Sequence, residues 1–259
     1  MDLGIPTLGR KGISFVSKLG GISILFYRFI VSLKEIHYTL RMILQQFYLL
    51  GLKSFPLIGI ISIFVGAVSA WQAAYQFEVI GAPMRLLGQA VGKAVVIELA
   101  PVLTAIVFAG RVGAGISAEL GSMKVTEQID ALEAMGISPV RYLVMPRVLA
   151  TLFMVPFLVI FANFIAILGA LTVAVTALNI TSDEFLNGFR SSFESSDFVN
   201  GLIKAAVFGL IIGLVGCYEG FQTEGGAQGV GKTTTSSVVI SSVLILIANF
   251  VFAVLLFKV

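Results

Sequence analysis

Three stretches of this chain carry residue types that could do chemistry. The first is GGAQGVGKTTTSS, Gly225 to Ser237, in which Gly226, Gly231, Lys232 and Thr233 fit G-x-x-x-x-G-K-[ST]. That pattern describes a loop whose backbone N–H groups cradle phosphates, and it needs a strand before the glycine turn and a helix after it. The second is Glu98, a lone carboxylate inside the apolar run AVVIELAPVLTAIVFAG, with Pro101 one turn on. The third is TEQIDALEAMG, 126–136, which sets Glu127, Asp130 and Glu133 among apolar residues.

The elements that would position these groups follow from composition. The chain has 259 residues, 58% hydrophobic and 12% charged, with mean hydropathy +1.01. Soluble domains average roughly 25% charged residues, so the class is an all-α integral membrane protein. Its 27 glycines suit membrane helices that pack closely. A net charge of +3 on so few charged residues points to basic membrane flanks, with no nucleic-acid partner.

Five segments reach the roughly 20 apolar residues needed to cross the hydrocarbon. They are 55–74, about 86–118, about 143–178 with Pro146 and Pro156, 199–221 and 236–257. Before them, residues 1–53 form an N-terminal amphipathic segment. Ile24, Phe26, Tyr27, Phe29, Ile30 and Leu33 alternate there with Arg28, Lys34 and Glu35, the pattern of a helix lying in the membrane interface. Residues 54–259 are then one five-span domain, without an internal repeat. Twelve of the 17 Lys and Arg fall on the side of the N-terminus and of the loops 110–147 and 222–235, against Arg85, Lys93, Arg190, Lys204 and Lys258. The positive-inside rule makes the twelve-residue side cytoplasmic, N-terminus included.

This context decides the first stretch. A spanning helix follows GGAQGVGKTTTSS and no strand precedes it, so it reads as a flexible cytoplasmic turn. Its Thr/Ser run caps the last helix and Lys232 snorkels to the interface. No nucleotide site is expected. The lone Cys217 reads as a buried, inert thiol. His37, also single, has no co-ligand for a metal.

The third stretch reads as a short helix at about 123–137, N-capped by Thr126 and stopped by Gly136. Ile129, Leu132 and Met135 form its apolar ridge, with Glu127, Asp130 and Glu133 on the flanks. An acidic helix is repelled by an anionic leaflet, so a protein groove suits it better. Arg111 and Glu119, just before it, read as orienting this cytoplasmic connection. Glu98 has two open readings. It either is protonated or pairs with Lys93 or another helix to fix packing, or it lines a water-accessible cavity and meets a polar headgroup or gates the path. Gly209-x-x-x-Gly213 and Gly216-x-x-x-Gly220 are close-packing ridges, within the chain or between two copies. Trp71, Gln72 and Tyr75 end the first span at the outer interface.

Taken together, ELAPVLTAIVFAGRVGAGISAELGSMKVTEQIDALEAMGISPVRYLVMPRVLA and the later GGAQGVGKTTTSSVV strongly resemble the MlaE/YrbE family of ABC-transporter permeases. The resemblance runs from about Ile22 to the C-terminus. It implies a bacterial inner-membrane, multi-pass permease for phospholipid, acting as a homodimer. Its partners would be a separate ABC ATPase, a periplasmic MCE-domain protein and a STAS-domain protein. No cofactor or metal is implied, and ATP hydrolysis would belong to the ATPase chain. TEQIDALEAMG would be the coupling helix, with Glu119, Lys124, Glu127, Gln128, Asp130, Leu132, Glu133 and Gly136 at the ATPase. Glu98, Trp71, Gln72 and Tyr75 would lie near the lipid. The resemblance departs at Ile97, where several members carry arginine, which leaves Glu98 without a neighbouring cation.

Two other classes stand beside this reading. An ion-coupled secondary transporter would use Glu98 as its proton site, but the sequence offers one deep carboxylate and no inverted repeat. A membrane-embedded enzyme lacks any Ser/His/Asp set, carboxylate pair or metal cluster.

Overall fold

The computed structural model describes residues 5–34 and 40–256. Helices α1 (Ile5–Ser32) and α2 (Leu40–Gln46) lead into α3 (Phe55–Ile80), then α4 (Leu87–Ala94), α5 (Ala100–Phe108) and α6 (Ala114–Val125). They are followed by α7 (Gln128–Ala134), α8 (Met145–Thr176), α9 (Ser182–Ser192), α10 (Ser195–Phe221) and α11 (Gly226–Leu256). No strand occurs among the described residues.

Five helical stretches are long and apolar enough to cross a membrane: Leu40–Ile80, Met84–Val125, Val140–Thr176, Ser195–Phe221 and Gly226–Leu255. Each begins earlier than the corresponding segment read from sequence. The first runs on through Lys53 as a single helical rod. The second is α4, α5 and α6 joined end to end by π turns at Val95–Leu99 and Ala109–Gly113. Further π turns lie at Phe47–Gly51 and Val140–Val144.

Small residues decide how these rods meet. On α3 the buried positions are Ile58, Ser62, Gly66, Ala70 and Ala74, a strict i, i+4 stripe along one face. A Cβ added at Gly66 would overlap the Ala166 carbonyl, and one at Gly169 the Ile63 carbonyl. The backbones of α3 and α8 therefore touch, and glycine alone permits it.

The ridges on α10 are used up in the same way. Gly209 and Gly213 lie against Thr151 and Val148 of α8, while Gly216 and Gly220 lie against Gly113, Ser117 and Leu120 of the second span. Both ridges serve packing within the chain. The last helix, α11, buries only a narrow stripe, with Ser237, Ser241 and Ile245 at 0% exposure.

One helix escaped the sequence reading. Thr181 caps α9 by accepting from the Glu184 amide at 3.3 Å. Asp183 and Glu184 occupy its first turn and Arg190 its last, each on the side the helix dipole favours. Its buried Phe185 and its Phe189 press on Gly88 and Gly92 of α4.

Candidate functional site

Glu98 sits inside the π turn Val95–Leu99, ahead of Pro101 near the start of α5. A π turn carries a residue beyond the α-helical count and is frequent at functional sites. Here it presents Glu98 to α10. Lys204 Nζ donates to Glu98 Oε1 at 2.9 Å and to the Ile97 carbonyl at 3.4 Å. The lysine side chain is wholly buried and the glutamate 37% exposed.

This settles the pairing and corrects two expectations. Lys93 is not the partner: it faces Glu194 and Asp197 at 3.5 and 3.7 Å. Nor does Glu98 lack a cation, since α10 supplies one. Lys204, tallied on the outer side from the sequence, lies in the fourth span as read and its side chain is wholly buried.

Spans one to three also form a shallow, mainly apolar groove. Its lining is Ile58, Ile61 and Val65 with Ser62 on α3, then Leu99, Leu103, Thr104 and Val107, and Ala166 on α8. Leu99 follows Glu98 in sequence, but neither Glu98 nor Lys204 lines the groove. Trp71, Gln72 and Tyr75 are outside that lining. Nor do they end the span, because α3 continues to Ile80 and stops at left-handed Gly81. Trp71 and Tyr75 are exposed, adjacent to the buried stripe positions Ala70 and Ala74.

At the other end of span two, Arg111 lies in the second π turn and donates to Ser54 Oγ at 2.7 Å. Glu119 on α6 accepts from Arg147 Nη2 on α8 at 2.8 Å. Glu119 thus joins α6 to α8, while Arg111 ties the second span to the residue before α3.

The connection itself differs from its sequence reading. Thr126 is not an N-cap: it follows the last turn of α6, its hydroxyl donating to the Ser122 carbonyl at 2.9 Å. Glu127, at φ 59, makes the corner into α7. Gly136, at φ 74, ends it as expected. The apolar ridge is also divided. Ile129 is buried at 4% exposure and Leu132 packs on the core, whereas Met135 is 67% exposed. Two ridge residues anchor α7 to its own chain, so the outward surface is Glu127, Gln128, Asp130, Glu133 and Met135. Lys124 pairs with Asp130 at 2.7 Å.

The phosphate-loop pattern lies within a helix. Gly226, Gly231, Lys232 and Thr233 all belong to α11, after a tight turn at left-handed Gly225 and Gly226. The expected flexible turn and Thr/Ser cap are both overturned. Thr233 and Thr234 donate to carbonyls within their own helix, and Thr223 and Thr233 hydroxyls meet at 2.9 Å.

Sequence reasoning missed a second deep carboxylate. Glu219 is 1% exposed and holds Lys18 of α1 at 2.7 Å, with Ser236 also accepting from that lysine at 3.1 Å. Its only sequence signal was a charge in the last turn of an apolar span. Cys217 is buried as read. The reading of His37 falls outside the described residues.

Comparison with known proteins places this geometry. Residues 43–255 match the family described as Permease MlaE. The chain belongs to the MlaE permease family. The match spans all five membrane rods, the π turns and α7. MlaE-type relatives cover nearly the whole chain. A "Probable ABC transporter permease protein" of Rickettsia typhi is 39% identical over 260 residues, all of both chains. One of Synechocystis is 40% identical over 218 residues, 84% of this chain and 82% of that protein. The chloroplast protein trigalactosyldiacylglycerol 1 of Arabidopsis thaliana is 37% identical over 224 residues, 86% of this chain and 63% of that protein. The chain is thus a multi-pass membrane permease of the MlaE family.

Proposed function

We propose that the chain is the non-catalytic, membrane-spanning subunit of an ATP-driven ABC transporter. It moves phospholipid between the bacterial inner membrane and a periplasmic MCE-domain carrier, and so serves outer-membrane lipid asymmetry. The observation that carries this reading is the family match over residues 43–255, supported by the Glu98–Lys204 ion pair within the spans. A headgroup bearing both charges finds both complements in this pair. The plant relative's own name contains a lipid.

In this reading the side rich in Lys and Arg is cytoplasmic, the N-terminus included, with α1 an interfacial helix ahead of the five rods. The ATPase docks on α7 through Glu127, Gln128, Asp130, Glu133 and Met135, whose exposure leaves them available. Two copies of the chain form the transporter, with a STAS-domain protein on the ATPase. ATP hydrolysis biases an equilibrium between two arrangements of the groove.

Reconstitution with the ATPase in vesicles carrying a fluorescent phospholipid tests the proposal. ATP-dependent transfer to an MCE-domain acceptor is the expected result. Transfer driven by an ion gradient without ATP would instead favour a secondary transporter, a reading to which the buried Glu219 adds a second carboxylate.

A further inference from the structure

Glu119 and Arg147 are 28 positions apart, and the segment between them contains α7. They stand on the two helices, α6 and α8, that lead into and out of this loop. Their ion pair therefore closes the neck of the loop that would meet the ATPase. Arg147 is 5% exposed. Its Nη1 donates to the Leu143 carbonyl at 2.8 Å, within the π turn Val140–Val144 that starts the third rod. The guanidinium thus ties together α6, the π turn and α8. Its buried Nε has no partner among the described residues, leaving one donor position open on the clamp.

From that neck, α8 leads to the groove. The residues after Arg147, Val148 and Thr151, abut Gly213 and Gly209 of α10. Further along the same helix Ala166 lines the groove, and Gly169 meets α3 backbone to backbone. Pro156 interrupts the hydrogen-bond ladder of this 32-residue helix between Arg147 and Ala166, so displacement is carried past it by the close packing of α8 against α10 and α3.

We propose that the Glu119–Arg147 pair is the joint that passes displacement of α7 into α8 and so to the groove. Glu119 is then a positioning residue that acts through Arg147 and does not itself hold the ATPase. This rests on the transport reading above, and it assigns the route within that reading. Without the pair, α7 still docks, but α6 yields independently of α8 and the groove does not follow.

The test uses the complete permease–ATPase complex in vesicles, reading ATPase retained, ATP hydrolysed and fluorescent phospholipid moved. Glu119→Gln is the informative variant, because a side chain 55% exposed tolerates it without loss of fold. The ATPase should co-purify as with the parent chain and hydrolyse ATP, while lipid moved per ATP falls about fivefold or more, the scale of an allosteric coupling. Glu119→Asp, which keeps the charge, should recover most of the ratio. Arg147→Lys should lower it, since a point charge cannot hold the carboxylate and the Leu143 carbonyl in one plane. An unchanged ratio in Glu119→Gln would overturn the joint. Loss of the ATPase from that variant would overturn it too, making Glu119 a docking contact. A parent complex that moves no lipid with ATP would remove the transport reading itself.

Discussion

Lys204 Nζ stands 2.9 Å from Glu98 Oε1, and the lysine side chain has no exposure at all while the glutamate keeps 37%. That inequality predicts an asymmetry between the two deletions. Glu98→Leu takes the carboxylate from a fully buried ammonium and should cost about 3–5 kcal/mol, the scale for breaking a buried pair. Lys204→Leu leaves a carboxylate with access to its surroundings and should cost less. The double variant should unfold closer to the parent than Glu98→Leu does. Thermal unfolding in detergent checks the order. The double variant also isolates function: a stable protein that no longer moves phospholipid assigns the pair to the lipid.

At another ion pair within the fold, Lys18→Met should release α1. Glu219 loses its cation while its side chain stays 2% exposed, a penalty of about 2–3 kcal/mol given that Lys18 is itself partly exposed. Limited proteolysis should then cut within residues 5–34 faster than in the parent. Equal rates would place the hold on α1 in Leu25 and Phe29, both buried in the core.

Glu127→Lys combined with Asp130→Lys reverses the exposed acidic face of α7 and removes the Lys124 pair. The buried Ile129 should keep the segment folded. The expected outcome is a chain of normal stability that fails to retain the ATPase on co-purification.

Lys232→Ala should leave nucleotide binding by the purified chain at background, the same as the parent, because Lys232 is part of a continuous helix and no glycine loop forms around it. Titration with a fluorescent ATP analogue reads this directly. Saturable binding lost in the variant would restore the phosphate-loop reading.

Gly66→Ala places a methyl group on the Ala166 carbonyl. Overpacking of this kind costs about 1–3 kcal/mol or more. Gly20→Ala, with nothing within 4 Å of the added atom, is the matched control and should unfold with the parent.

The class, the five rods and the acidic segment were legible because hydropathy and Lys/Arg placement report the surrounding solvent directly. Gly136 was legible because its left-handed backbone excludes most other residues. What stayed hidden depended on pairs distant in sequence. Glu98 could not announce Lys204, 106 positions away, nor Glu219 announce Lys18. Thr126 misled because a threonine ending one helix looks like a threonine starting the next. The ridge Ile129–Leu132–Met135 misled because periodicity shows that a face is apolar without showing whose core covers it. The four π turns leave no composition signal, since they arise from residue count along a helix.

The glycines of α10 also determine what the bundle leaves outside. With all four spent against α8 and span two, the outer relief is made of bulky side chains: Phe64 and Val68 on α3, Leu246, Phe250 and Val254 on α11. Where those side chains stand, backbone cannot approach backbone. Anything bordering it, acyl chain or foreign helix, meets rotamers that rearrange at little cost. Its grip there is adjustable, so the thickness and saturation of the bilayer become variables to which this surface responds.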